Sequence, residues 1–372
     1  MISSALREEG KVRVVGVNMQ NDPICETSGA IMSIQVQAAE NLLAGIYNVE
    51  LTHTSLSNER SEDIVLDDAV SSVLSGDLSK IKAMTLNGGW SKDAIAALNE
   101  KISTNDVITS VDMSSALAME STANVMTANP NTLVYLPEEM ALANDKNVVC
   151  GENCANLVIT DGKPFGATKG FEASTALYSR SLTVQWGTVC LPFDLTSDMD
   201  IQYYVLSDIS DVKMTFVPVS SVTAGTPAVF KVCSGSDMNI SGSNVTVATS
   251  TNCWESIVAG ENWKMQGSYS SFSLDPMADE YHDKNIYYLN GDKFLHANIA
   301  FPAGAFRGWF EAPKNSLNSK AFFMFGDDEV TNVNMIEKNN GNVEIIYDLS
   351  GRKLQKTKKG INIINNKKVI VK

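Results

Sequence analysis

The chain has 372 residues, 44% of them apolar and 19% charged, with a formal net charge of −14 and a sequence pI of about 4.7. That length fits about two to four domains with ordinary buried cores. An acidic surface repels phosphate backbones, which excludes nucleic acid as a partner. No apolar run reaches the roughly 18 residues that a membrane-spanning helix needs.

The chain opens on Met1 to Glu9, which lacks the charged start and apolar stretch of a signal peptide. Residues 11–66 read as strands. Val12, Val14 and Val15 open one, Ile31, Ile34 and Val36 mark a second, and Ile46, Val49 and Leu51 follow a Gly45 turn in a third. About four strands are visible, where a sandwich domain needs about seven. The stretches Gly29 to Val36 and Ala44 to Leu51 resemble the closing strands of cohesin-like β-sandwich domains. That resemblance implies that residues 1–68 are the C-terminal part of such a sandwich, and that either Met1 is a mis-called start or the chain is a fragment.

Residues 69–162 carry a repeat. Four strand-like pieces recur at Ala83 to Asn87, Thr109 to Met113, Thr132 to Leu136 and Asn156 to Thr160. With Met84, Val111, Leu133 and Leu157 as equivalents, the spacings are 27, 22 and 24 residues. One strand per 20–29 residues is the leucine-rich-repeat period, so an α/β solenoid of about four turns is expected. Between the first two pieces, Ser91 is placed to cap a helix whose Ile95, Leu98 and Ile102 share one face. An ordinary α/β unit is the alternative.

Residues 163–335 alternate over Tyr178 to Val184 and over Val212 to Phe216, and Asn290-Gly291 is a hairpin signal. Short strands without helical periods predict an antiparallel β-sandwich. Residues 336–372 hold nine Lys or Arg against three acids, a balance of +6 that leaves −20 for residues 1–335. This basic C-terminal segment reads as a three-strand meander through Val343 to Arg352, Gly360 to Ile364 and Lys367 to Lys372. The expected fold is therefore mainly β and multidomain: partial sandwich, short solenoid, antiparallel sandwich and small C-terminal meander.

Three strings together resemble the modular, leucine-rich-repeat-type surface and secreted proteins of anaerobic gut and oral bacteria. The first is Asn129 to Leu136 with Asn156 to Phe165. The second is Trp186 to Leu195, answered by Phe306 to Phe310. The third is Ile346 to Arg352. The last segment resembles a C-terminal sorting domain of type IX secretion. The resemblance implies an extracellular or cell-surface location and an adhesive role toward a host or matrix protein or glycan.

The residues of chemistry are sparse. Cys150 and Cys154 flank Gly-Glu-Asn, which suits a small loop disulfide or two unrelated thiols better than a zinc knuckle. The three histidines, His53, His282 and His296, include no HExxH pair, and there is no G-x-S-x-G. His282 lies among Asp279, Glu280 and Asp283. Gly162, Gly166 and Gly170 match no phosphate loop. Asp194, Asp198 and Asp200, and Asp327, Asp328 and Glu329, are the clustered carboxylates considered for calcium or for glycosidase chemistry. Trp186, Trp254, Trp263 and Trp309 are candidates for stacking on sugars or for core packing. No catalytic, cofactor or metal residue is assigned. The expected function is non-catalytic binding or adhesion. The alternatives are a carbohydrate-binding accessory module of a polysaccharide-degrading system and a hydrolase with an unrecognised carboxylate pair.

Overall fold

A computed structural model describes residues 2–8, 11–16, 43–57, 60, 62–119, 124–140, 145–210, 213–235, 237–250, 254–258, 263–291, 293–314, 322–325, 346–347, 353–354, 360–364 and 367–371. The protein is mainly β, with many separate sheets. It divides into two compact units: Met1–Tyr178 with Ile240–Thr251, and Ser179–Asn239 with Asn252–Lys372.

The first unit begins with antiparallel pairs, Ile2–Glu8 with Lys11–Gly16 and Gly45–Leu51 with Ala69–Ser75. One face of the second pair sends Ile46 and Leu74 into a core, while Val49, Leu51 and Val73 on the other face stay exposed. The centre of the unit is a seven-stranded sheet. Ala83–Thr85, Ser110–Asp112, Leu133–Leu136 and Val148–Cys150 lie side by side in parallel. Asn153–Thr160 then turns back antiparallel, and Phe171–Ser181 and Asp237–Val247 complete the far edge.

The helix Lys92–Ile102 forms where the sequence places it. Ser91 accepts a hydrogen bond from the Ala94 N–H at 3.2 Å, and Ile95, Leu98 and Ile102 are buried. They pack with Met84, Val111, Val134 and Val148, the four residues that face one another along the parallel ladder. Each such apolar side chain contributes about 1.5–3 kcal/mol by leaving water.

Two details of the ladder differ from the spacing argument. Val111 pairs with Val134, not Leu133, a slip of one residue that changes which side chains face the helix. The fourth parallel strand is Val148–Cys150, because the Gly151 turn (φ +59°) makes the segment after it a hairpin partner. A turn that short joins only antiparallel strands.

Buried asparagines brace the starts of these strands. Asn105 donates to the Leu78 carbonyl at 2.7 Å and accepts from Val107 and Ile108. Asn129 donates to Ile108 O and Pro164 O, and Asn131 donates to Thr160 O and Lys163 O. Asn147, held at φ +60°, donates to Pro130 O and Val158 O. Each amide therefore ties one pass of the chain to another and satisfies carbonyls that the short strands leave over.

The second unit contains two five-stranded sheets. One runs Trp186–Val189, Ala228–Val232, Ile201–Ser210, Lys213–Val219 and Phe322–Phe325, antiparallel except for the last pairing. The other, Trp254–Val258, Trp263–Ser268, Arg307–Pro313, Lys284–Asn290 and Lys293–His296, is antiparallel throughout. Phe216 and Val229 of the first share a core with Met265, Tyr287, Phe294, Phe310 and Ala312 of the second. Gly267 permits the close approach, since a Cβ there would lie 2.6 Å from the Cys190 sulfur. The Asn290-Gly291 hairpin forms as the sequence signals, with Gly291 at φ +67°. In the basic C-terminal segment four short strands pair in the order Lys353–Leu354, Ile346–Tyr347, Gly360–Ile364 and Lys367–Val371. That is one strand more than the meander read from the sequence.

Candidate functional site

In the first unit Asp112, on the strand beside the Ala83–Thr85 edge of the seven-stranded sheet, forms an ion pair with Lys169. The Lys169 ammonium lies 2.8 Å from Asp112 Oδ2 and donates to Ser114 Oγ at 2.5 Å, while Ser114 donates to Asp112 Oδ1 at 2.7 Å. Burial pushes the Asp112 carboxyl up. The hydrogen bonds from Lys169 and Ser114, with the Lys169 charge, outweigh it and hold the group below its ordinary value. The Tyr135 hydroxyl donates to Lys169 O at 2.9 Å, and burial pushes that phenol up to about 12. A serine beside a lysine resembles a nucleophile and its base, but here the Ser114 hydroxyl donates to Asp112 and not to the amine. The arrangement fastens residues 168–169 to the sheet.

In the second unit the buried acid is Glu311. Its Oε2 accepts from Lys284 at 3.0 Å and its Oε1 from the Trp309 indole at 3.2 Å. Trp309 is only 4% exposed and packs with Leu274, Ile286 and Ala297, so it is a core residue. The side chains of Trp254 and Trp263 lie outside the described residues.

Trp186 is different. It starts the edge strand Trp186–Val189, half-buried, opposite Lys231, which in turn lies opposite Gln202. Tyr204, two residues beyond Gln202, shares that face. The Trp186 and Tyr204 rings are 5.4 Å apart at 44°, and the Lys231 ammonium sits 5.3 Å above the Trp186 ring. Burial, then the Cys233 thiol, pushes the Tyr204 phenol above its ordinary value. The pairing continues one step further, where Val232 donates to Gln185 O. There it opens into a hollow of about 100 Å³ lined by Leu182, Thr183, Val184, Gln185, Val232 and Gly235. Gly235 holds φ +79°, and no atom lies within 4 Å of the place its Cβ would take.

The other sequence candidates are dispersed. Cys150 and Cys154 are free thiols. Cys150 donates to Met140 O at 2.9 Å, whereas Cys154 is buried and pushed up to about 11 mainly by desolvation. Cys154 pairs across the hairpin with Val149 and Cys150 with Asn153, which sets the two thiols on opposite faces. His282 bonds through Nδ1 to Asp279 O, and His296 through Nε2 to Asn285. His53 takes φ +56° in a turn where its N–H donates to Asp68. Asp194 accepts from Ala224 N, Asp198 from Asp200 N and Ile201 N, and Asp200 from Ser234, so all three hold turns. Asp327, Asp328 and Glu329 lie outside the described residues. Among the described residues no three His, Cys, Asp or Glu side chains gather as metal ligands, and no helix is long and apolar enough to cross a membrane.

The sequence reading singled out Trp186 but missed Tyr204 and Lys231, which only strand pairing brings to it. The buried asparagines were missed as well, and their signal is an Asn a few residues ahead of the second, third and fourth parallel strands. No family model, curated protein or solved structure matches the chain.

Proposed function

We propose that this chain is a non-catalytic, secreted or cell-surface binding protein that adheres to a host or matrix protein or glycan. The observation that carries the reading is the use made of its buried acids. Asp112 and Glu311, each a carboxylate of the kind hydrolases employ, have both oxygens engaged by neighbouring side chains. The chemistry-bearing side chains serve a scaffold, and a scaffold of broad sheets offers surface for recognition.

Two features support the finer architecture behind this reading. The parallel ladder with its asparagine braces suits a short leucine-rich-repeat-like solenoid, in which each pass bonds to the one before. The two sheets that share the Phe216–Phe294–Phe310 core suit an antiparallel sandwich. The basic C-terminal strands are consistent with a sorting segment, and the exposed face of Val49, Leu51 and Val73 with a partial cohesin-like sandwich.

The test is binding of the purified full chain to immobilised matrix proteins and to a glycan array. Saturable binding to members of either set is expected. Silence across both sets would remove the adhesive reading.

A further inference from the structure

The pairs Gly45–Leu51 with Ala69–Ser75 and Ser55–Ser57 with Asp63–Val65 are two stretches of one long hairpin arm. Their register is constant: Gly45 lies opposite Ser75, Leu51 opposite Ala69, Ser55 opposite Val65 and Ser57 opposite Asp63. At the root of the arm Ile46 and Leu74 enter the core of the first unit. Farther out Val49, Leu51, Ile64, Val65, Leu66 and Val73 are exposed, Val65 by 77%. No third strand joins either pair among the described residues. A lone two-stranded hairpin is marginal in water, and an exposed apolar strand is a template for another chain. The arm is also acidic. Over residues 45–75 six Asp or Glu stand against Arg60, a balance of −5.

The opposite chemistry stands at the other end of the chain. The four-stranded C-terminal sheet belongs to residues 336–372, whose balance is +6. Strand register places Lys353, Tyr347, Ile363 and Lys368 in one row across that sheet, with Ile361 and Ile370 on the same face. Each edge strand therefore contributes a basic position to the row, and the positions between are apolar or aromatic. The arm carries the counterpart, with Glu50, Asp63 and Asp67 exposed along the same strands and junction as Val49, Leu51 and Val73. We propose that the hairpin arm of one copy is covered by the basic C-terminal sheet of a second copy, so that molecules associate head to tail. Burial of the apolar positions supplies the attraction. Charge selects the pairing, because arm on arm would set −5 against −5 and sheet on sheet +6 against +6. The two surfaces differ, so the contact is heterologous and does not have to close at a dimer. This assembly is independent of the adhesive reading.

The experiment is sedimentation velocity of the full-length chain over a rising concentration series. The average mass should climb with concentration and pass that of a dimer, and added salt should weaken the association. Two charge-reversed chains separate the surfaces. Glu50→Lys with Asp67→Lys alters the arm, and Lys367→Glu with Lys368→Glu alters the last strand. Each should self-associate about tenfold or more weakly than wild type, with an unchanged circular dichroism spectrum. Mixed together, the two should associate again, because the first retains its sheet and the second its arm. That recovery also shows that neither variant lost association through misfolding. A wild-type chain that stays monomeric at every concentration, as when the sheet folds back on the arm of its own copy, would overturn the proposal. So would association that is indifferent to both variants, or a mixture no more associated than its two components alone. The adhesive reading fails separately, on a silent array.

Discussion

Asp112 is a charged residue in the middle of a parallel ladder, and its surroundings explain how it keeps the charge. Ser114 supplies a backbone and a hydroxyl donor, and Lys169 supplies a counter-charge from 57 positions along the chain. Lys169 is 48% exposed, so solvent screens the pair. Asp112→Asn should then cost about 1 kcal/mol at pH 7, below the roughly 3–5 kcal/mol of a fully buried pair. The folded-state pKa of Asp112 is depressed. Its contribution is therefore complete above the unfolded value of about 3.9 and is lost as pH falls through the folded value. Urea melts of wild type and Asp112→Asn should differ at pH 7 and pH 5, begin to approach one another below about pH 3.9, and converge once the pH is below the depressed folded value. A gap that persists there would mean that the aspartate acts through shape instead of charge. None of this was visible in the string Val111-Asp112-Met113-Ser114, which also suits a solvated turn. The same limit applies to Lys231 and Trp186, 45 positions apart in the chain and joined by one antiparallel pairing.

Elements were readable where a local rule sets them and obscure where two faces are buried. The Ser91 cap with Ile95, Leu98 and Ile102 gives the helix directly, and Asn290-Gly291 gives its hairpin. The strand Leu133–Leu136 is apolar on both faces, with Leu133, Tyr135 and Leu136 all buried, so period two carries no register signal. The ladder's register rests instead on the helix-side row of Met84, Val111, Val134 and Val148 and on the asparagine braces. Asn129 makes the strongest case for those braces. Its amide donates to Ile108 O at 2.8 Å and Pro164 O at 2.9 Å, and its oxygen accepts from Asn131 N at 3.1 Å. Ile108 O keeps a bond from the Thr132 hydroxyl at 2.7 Å, so Asn129→Ala would take the side-chain partner from Pro164 O and Asn131 N and should cost about 2 kcal/mol. Asn129→Asp keeps the size and the acceptor but loses both donated bonds, so it should also destabilise. Hydrogen exchange should show the loss concentrated in residues 105–135. An Asn129→Asp variant as stable as wild type would show that the donated bonds do not matter.

At the scale of the whole molecule, chain order and compactness disagree. Composition and spacing place a break after residue 162, where the strand-like repeat ends. The side chains that hold the next stretch lie far back in the chain: Asn129 on Pro164, Asn131 on Lys163, Ser110 on Thr168 and Asp112 on Lys169. Phe165, Ala167, Phe171, Ala173 and Ala176 are all buried, and Phe171–Ser181 is the sixth strand of the seven-stranded sheet. The seventh, Asp237–Val247, follows only after six strands of the other unit have been laid down between Trp186 and Val232. Those ties are long-range, which is why no local pattern announces them. A fragment of residues 1–162 should therefore unfold without a cooperative transition and bind a hydrophobic dye, having lost two strands and the apolar cover after Thr160. Joining residues 1–181 to 237–251 through a flexible linker restores all seven strands and should recover a single sharp urea transition. If residues 1–162 instead melt as sharply as the joined fragment, the sheet is complete at its fifth strand. The stretch after residue 162 would then be an appendage to a unit that ends where the repeat does.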